Sequence, residues 1–329
     1  MPRWNFITYN GYNLREAGTS GVTEMAVAVS NAINTLEEMI KRGHDVDWIA
    51  ERLAFFWDPS SDFFEEIARL RAVRKLWYKI MKYRFEAKNP RSMWMRCHVQ
   101  TSGIALRREE PLNNVARAAY HALSAILGGV QSMHIDSYDE AYNVPTEAAA
   151  LVSLRTQQIL QAETGITALV DPLGGSFYVE SLTNEIEKMI LDEIDEIESM
   201  GGIVAMVETG WLHGKIAKYA YHEQMMIENG ELPIAGVNYM KSAAEELPQI
   251  DVFRYPEGVY EKQCQKVRKL RQERDNSQVE ASLRKLEEAC RHGENIMPYC
   301  IEAARANATE GEMFKVLKKA FGLWKVPSY

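Results

Sequence analysis

Four short polar runs in the first 145 residues carry side chains suited to chemistry, and each follows a strand-like apolar stretch. The most informative is Gln100-Thr-Ser-Gly103, after Trp94-Met-Arg-Cys-His-Val99. A glutamine amide there can hydrogen-bond a carbonyl or acyl group without titrating, and glycine lets a bulky ligand approach the backbone. Tyr12-Asn13 follows the first strand, Asp58-Pro-Ser-Ser61 the second and Asp136-Ser-Tyr-Asp-Glu140 the fourth. The Asn13 amide can donate a hydrogen bond but not a proton, and it is equally able to cap a turn. Strands that end in polar, glycine-bearing backbone are where parallel α/β proteins hold their active sites.

The elements that must position these residues follow from periodicity. β-branched and aromatic runs predict strands at 4–9, 53–57, 94–99 and 131–135. Met25, Val29, Ile33, Leu36 and Ile40 recur at helical spacing and predict a helix over 21–41, stopped by Gly43. Further helices are expected over 63–82 and 111–127. Strand and helix alternate four times, which predicts an α/β fold: half of a (β/α)8 TIM-type barrel over residues 1–165. Residues 166–329 read as a mostly helical region that packs on the barrel, with a linker near 251–260 and a last helix over 310–321. An open half-barrel leaves two strand edges and, on this reading, an apolar inner face, so either a complementary half is expected from elsewhere or this chain is a piece of something longer.

Composition narrows the function classes. At 46% hydrophobic and 26% charged, the chain is an ordinary globular sequence. A net charge of −8 argues against a dedicated nucleic-acid surface. Cys97, Cys264, Cys290 and Cys300 form no C-x-x-C and read as reduced thiols in a cytoplasmic protein; no metal site is expected. No apolar run is long enough to span a membrane. Met1-Pro-Arg-Trp-Asn-Phe does not read as a signal peptide but as the inside of a domain. His98 and His134 alternate with apolar strand residues and read as lining histidines bonded to protein groups. The row 69–75, rich in arginine, reads as a solvated helix face, and Trp57, Trp77 and Trp94 read as packing.

With the strand ends in view, the chain resembles the catalytic subunit of the methylmalonyl-CoA mutase family of adenosylcobalamin-dependent acyl-CoA mutases. The resemblance runs in order through Gly11-Tyr-Asn-Leu-Arg-Glu-Ala-Gly18, Arg52-Leu-Ala-Phe-Phe-Trp57, His98-Val-Gln-Thr-Ser-Gly103, Asn113-Asn114 and Gln131-Ser-Met-His134. It continues through Asp139-Glu-Ala141, Asp171-Pro-Leu-Gly-Gly-Ser176, Gly201-Gly202, Gly236-Val-Asn238 and Ala303-Ala-Arg305 to Gly311-Glu312. It implies the second half of the family's barrel plus its helical tail, acting on an acyl-CoA by radical rearrangement.

The resemblance also implies roles. Tyr12-Asn13 stands where the family has Tyr-His at the substrate thioester. Gln100 and Gln131 fall on the substrate side, Arg52 on the CoA arginine, and Ala54 where the family has a serine. Gly103, Glu140 and Asn143 fall on the adenosylcobalamin side, Glu140 as acceptor for ribose hydroxyls. None of the seven histidines has Asp two residues before it, so the family's Asp-x-His-x-x-Gly loop is absent. The axial histidine for cobalt is therefore expected from a cobalamin-binding partner, alongside a chain supplying the first barrel half. The departure at Asn13 leaves two alternatives open: a mutase for a different acyl-CoA, or a non-catalytic chain that assembles with mutase subunits. An unrelated barrel hydrolase or lyase finds no metal triad and no Ser-His-Asp pattern here.

Overall fold

The computed structural model describes residues 4–243 and 250–327. Met1, Pro2 and Arg3, on which the reading of the chain's start partly rests, lie outside the described residues. The chain divides into two compact units, one reaching to Phe253 and one formed by Arg254–Val326. This division falls within the expected linker and later than the 165/166 boundary drawn above.

In chain order the first unit runs β1 (Ile7–Asn10), α1 (Tyr12–Glu16), α2 (Gly21–Lys41), α3 (Val46–Ala50), β2 (Leu53–Trp57) and α4 (Phe63–Lys79). It continues with β3 (Cys97–Gln100), α5 (Asn113–Leu127), β4 (Ser132–His134), α6 (Glu147–Glu163), α7 (Phe177–Ser199), α8 (Gly202–Glu208) and α9 (Trp211–Glu228). A π-helical turn, Ile80–Arg84, extends α4, and a 3-10 turn, Pro90–Met93, precedes β3. That turn delays β3 to Cys97, and Trp94, expected as packing, stands 65% exposed.

The four strands form one parallel sheet in the order β1-β2-β3-β4. Parallel neighbours need crossover helices, and right-handed crossovers in sequential order put every helix on the same face. That face carries Tyr9, Leu53, Phe55, Trp57, Cys97 and Val99, all buried in one core with α2 and α4. Ser20 and Asp62 start these two helices, each accepting from a backbone N–H at 3.1 Å. Ile186, Ile190 and Ile194 of α7 join the same core, which is why residues past 165 belong to the first unit. The mixed α/β architecture is consistent with a half-barrel.

The opposite face is uncovered, and here the expectation of an apolar inner face is corrected. In register across the sheet it presents Thr8 beside Ala54, then Asn10, Phe56, His98 and Ser132 in one row, then Gln100 beside His134. Side chains alternate along a strand, so the large apolar residues turned to the helices, with Phe56 the exception. A small, mostly polar face remains.

The second unit is helical: α10 (Val259–Glu273), α11 (Asn276–His292), α12 (Met297–Arg305) and α13 (Glu310–Phe321). Val279, Leu286, Ala289 and Ala303 are buried within it. Arg274 grips Glu312 through two hydrogen bonds of 2.7 and 2.6 Å, and Glu312 closes a capping box with Thr309 at the start of α13. Among the described residues no helix is long and apolar enough to cross a membrane.

Candidate functional site

The carboxyl ends of the four strands bring together a polar rim. Gln100 ends β3, and its Nε2 donates to Tyr12 Oη at 2.9 Å and to Asp136 Oδ1 at 2.8 Å. One amide thus ties the first, third and fourth strand ends. Both of its hydrogens are committed, which leaves Oε1 as the group it can offer to a ligand on the open face. Tyr12 lies flat on Phe56, ring centroids 5.0 Å apart, so its position is set by packing as well as by hydrogen bonding.

Asp136 is 2% exposed and Asp58 fully buried. Burial first, then the charge of Glu140, pushes the Asp136 carboxyl up to about 8. It is therefore mostly protonated at neutral pH, even though the Gln100 hydrogen bond pulls the other way. Its Oδ2 has no partner. Asp58 is raised well above the usual carboxylate range by burial and by Glu24 and Glu16. Burial raises Glu140 as well, with Asp139 and Glu16 adding to it. The rim is a desolvated acidic cluster in which Asp136 holds a proton, able to accept from and donate to hydroxyl and amide groups.

Glu16, on α1, accepts from the backbone N–H of Gly103 at 2.8 Å and of Ile104 at 3.0 Å, and from Ser102 Oγ at 3.3 Å. Gly103 is required for this approach: a Cβ there would lie 2.8 Å from Glu16 Oε2 and 3.3 Å from Asp136 Oδ2. Beneath the rim Arg69 is wholly buried. It pairs with Glu24 at 2.5 Å and with Glu66, and donates to the Asp58 carbonyl. The solvated-face reading of residues 69–75 is corrected at this residue. Arg71 also leaves solvent, pairing with Glu180 of α7 at 2.6 Å, whereas Lys75 stays exposed while pairing with Glu187 at 2.8 Å.

The other sequence-predicted residues spread out. Asn13 is exposed, and the turn is capped by Asn10, whose Oδ1 accepts from Asn13 N at 3.1 Å. Asn143 is drawn away, its Nδ2 donating to Phe253 O at 3.1 Å. Arg52 and Gln131 lie at the amino ends of β2 and β4, opposite the rim. The Arg52 guanidinium sits 4.3 Å from the Trp48 ring centroid, and Gln131 Oε1 accepts from Cys97 N at 2.7 Å. Ala54 lies between the two ends on the open face. His98 Nδ1 lies 2.7 Å from Ser132 Oγ, as expected of a lining histidine bonded to a protein group, whereas His134 Nε2 stands 3.6 Å from Asp136 Oδ1, beyond hydrogen-bond distance; burial is the chief cause lowering both.

Sequence reasoning missed Asp136, Glu16 and the Glu24–Arg69–Glu66 cluster. Asp136 was visible as the first residue of a strand-end run. Arg69 carried no such signal, because a buried arginine and a surface arginine look alike in a helical pattern.

The family model described as methylmalonyl-CoA mutase matches residues 1–323. The chain is 41% identical over 326 residues to the 2-hydroxyisobutanoyl-CoA mutase large subunit of Aquincola tertiaricarbonis, covering 99% of this chain and 58% of that protein. It is 41% identical over 323 residues to the methylmalonyl-CoA mutase of Cereibacter sphaeroides, covering 98% and 45%. It is 39% identical over 329 residues to the methylmalonyl-CoA mutase large subunit of Propionibacterium freudenreichii subsp. shermanii, again covering 98% and 45%. The chain thus spans about half the length of these relatives.

Proposed function

Because this chain belongs to the methylmalonyl-CoA mutase family, we propose that it is part of an acyl-CoA carbon-skeleton mutase, an isomerase completed by partner chains. Its sheet is half of a (β/α)8 barrel, and the open face is the wall of the substrate channel. One observation carries the proposal: a small, polar, uncovered face runs from Arg52 at one end of the sheet to Gln100, Tyr12 and Asp136 at the other. Phe56 and His98 lie between, with Ala54 leaving room beside them. An extended CoA arm fits such a face, its phosphate-bearing end near Arg52 and its acyl group at the rim.

At the rim, Gln100 would orient the acyl group through Oε1, held there by Tyr12 and Asp136. Asn13 would add an amide donor toward the thioester carbonyl. The neutral Asp136 keeps the rim from placing a full negative charge beside a reacting group. None of these groups is a strong base, which suits chemistry that moves hydrogen atoms rather than protons. Adenosylcobalamin, when bound, supplies the radical that such a rearrangement needs. The rim fits that cofactor at Glu140, a half-buried carboxylate that can accept from ribose hydroxyls. It fits less well at Asn143 and at the Gly103 amide, which are already committed within the chain. The cobalt-binding histidine would come from a cobalamin-binding subunit. All four cysteines are free, which supports a reducing, cytoplasmic setting.

The test combines this chain with a chain supplying the first barrel half, a cobalamin-binding subunit, adenosylcobalamin and a panel of acyl-CoAs. A stable complex and isomerisation of one acyl-CoA are expected. No association at about micromolar concentration would overturn the split-barrel reading. Association without turnover on any acyl-CoA would favour a non-catalytic assembly role, the reading that Asn13 in place of a histidine supports.

A further inference from the structure

A cavity of about 580 Å3 opens beside the rim, walled by α1, the loops after β2 and β3, α5, α9 and the segment that follows α9. Its volume is that of a small-molecule site. Three guanidiniums line it: Arg15, Arg107 and Arg117. Arg117 is anchored, donating to Asn114 Oδ1 at 2.8 Å and to Ala235 O at 2.7 Å. The Nε atoms of Arg15 and Arg107 are buried with no partner. Burial, and then the charge of Arg117, lower the Arg107 guanidinium. Two carboxylates border the cavity. Asp62 is engaged as the cap of α4, and Glu223 acts on Arg107 only at longer range. The hydroxyls of Ser60 and Ser61 and the imidazole of His222 complete a polar wall, while Met226 and Ile234 form an apolar one.

Two guanidiniums held near each other and partly out of water repel, and a buried N–H without an acceptor is unfavourable. An anion lying between Arg107 and Arg117 relieves the repulsion between them. A planar carboxylate brings one charge and two oxygens. A phosphate monoester brings nearly two charges and three acceptor oxygens, enough for two guanidiniums and the serine hydroxyls together. We propose that this cavity binds an organic phosphate monoester, its phosphate between Arg107 and Arg117 and its apolar body against Met226 and Ile234. The site is separate from the open sheet face and shares α1 and the loops after β2 and β3 with the rim.

Phenyl phosphate is the probe, titrated into the full chain by calorimetry, with inorganic phosphate and benzoate as comparison ligands. Phenyl phosphate should bind with Kd at or below about 1 mM, and more weakly as salt rises. Inorganic phosphate should bind more weakly, lacking the apolar body, and benzoate more weakly, lacking the second charge. Arg107→Gln combined with Arg117→Gln should weaken phenyl phosphate at least about tenfold. Ala116→Leu fills the cavity from α5 while keeping both arginines, and should weaken it as well. It decides the matter if the arginine variant does not fold. Absence of binding up to about 10 mM, benzoate binding as tightly as phenyl phosphate, or unchanged affinity in Ala116→Leu would each overturn the proposal. Binding is read on this chain alone, so it fails or succeeds independently of mutase activity.

Discussion

Gln100 Nε2 and Asp136 Oδ1 lie 2.8 Å apart across the β3–β4 edge of the rim, an amide donor held by a carboxyl that burial keeps protonated near neutral pH. The pairing joins a residue that can face a ligand to one that cannot. Asp136 acts through Gln100 and sets which of its amide atoms is free.

Asp136 makes stability fall as pH rises. Its carboxyl titrates near 3.8 when unfolded and near 8 when folded. Between these values the folded chain holds a proton that the unfolded chain has lost. The stability it contributes is full below pH 3.8 and is lost progressively up to about pH 8. Asp136→Asn should flatten the dependence of Tm on pH over this window, by at most about 1.4 kcal/mol per pH unit. A wild-type and variant pair with parallel Tm–pH curves would refute the assignment.

Gly103→Ala should displace Glu16. The new Cβ would sit 2.8 Å from Glu16 Oε2, so the carboxylate must release the amides of Gly103 and Ile104. A loss of about 1–3 kcal/mol in urea unfolding is expected. Restoring part of it with Glu16→Ala in the same chain would trace the effect to this contact. A Gly103→Ala chain as stable as wild type would contradict it.

Arg69→Met should be severe. It leaves Glu24 and Glu66 buried beside Asp58 without their direct ion-pair partner, with Arg15 the remaining nearby cation. Breaking a buried pair in this way removes about 3–5 kcal/mol. Adding Glu24→Gln and Glu66→Gln should recover much of that loss, because the uncompensated charges go with them. Chemical denaturation of the three chains at neutral pH measures this.

Asn13→His should leave stability within about 0.5 kcal/mol, since Asn13 is exposed and the turn is capped by Asn10. In the reconstituted complex it should change turnover and give kcat/KM a pH limb near the imidazole pKa of about 6.5. Turnover seen with the Asn13→His chain and absent with the unsubstituted one would mark the latter as a non-catalytic subunit. Equal pH profiles in the two chains would remove Asn13 from the substrate contact.

The elements were legible wherever local periodicity was strong. The predicted helix at 21–41 and strand at 53–57 coincide with α2 and β2, and the last helix with α13. Strand ends were less legible: the first and third strands begin three residues later than predicted, where turn hydrogen bonding and exposure outweigh β propensity. The rim was half legible. Tyr12, Gln100 and Gly103 come together, whereas Arg52 and Gln131 lie at the far end of the sheet and Asn143 turns toward Phe253.

The order of strands and helices and the four polar strand ends are properties of the amino-acid sequence alone, because they depend only on residue type and spacing; the departure at Asn13 is legible only against the family the sequence resembles. Which face of the sheet stays open, and that it is polar, depended on which side the helices took. Asp136 became a protonated partner of Gln100, and Arg69 a buried counter-ion, only in the tertiary structure. Burial and the field of distant carboxylates, brought close by folding, set the charge state of such groups, and neither is encoded in any local stretch of chain.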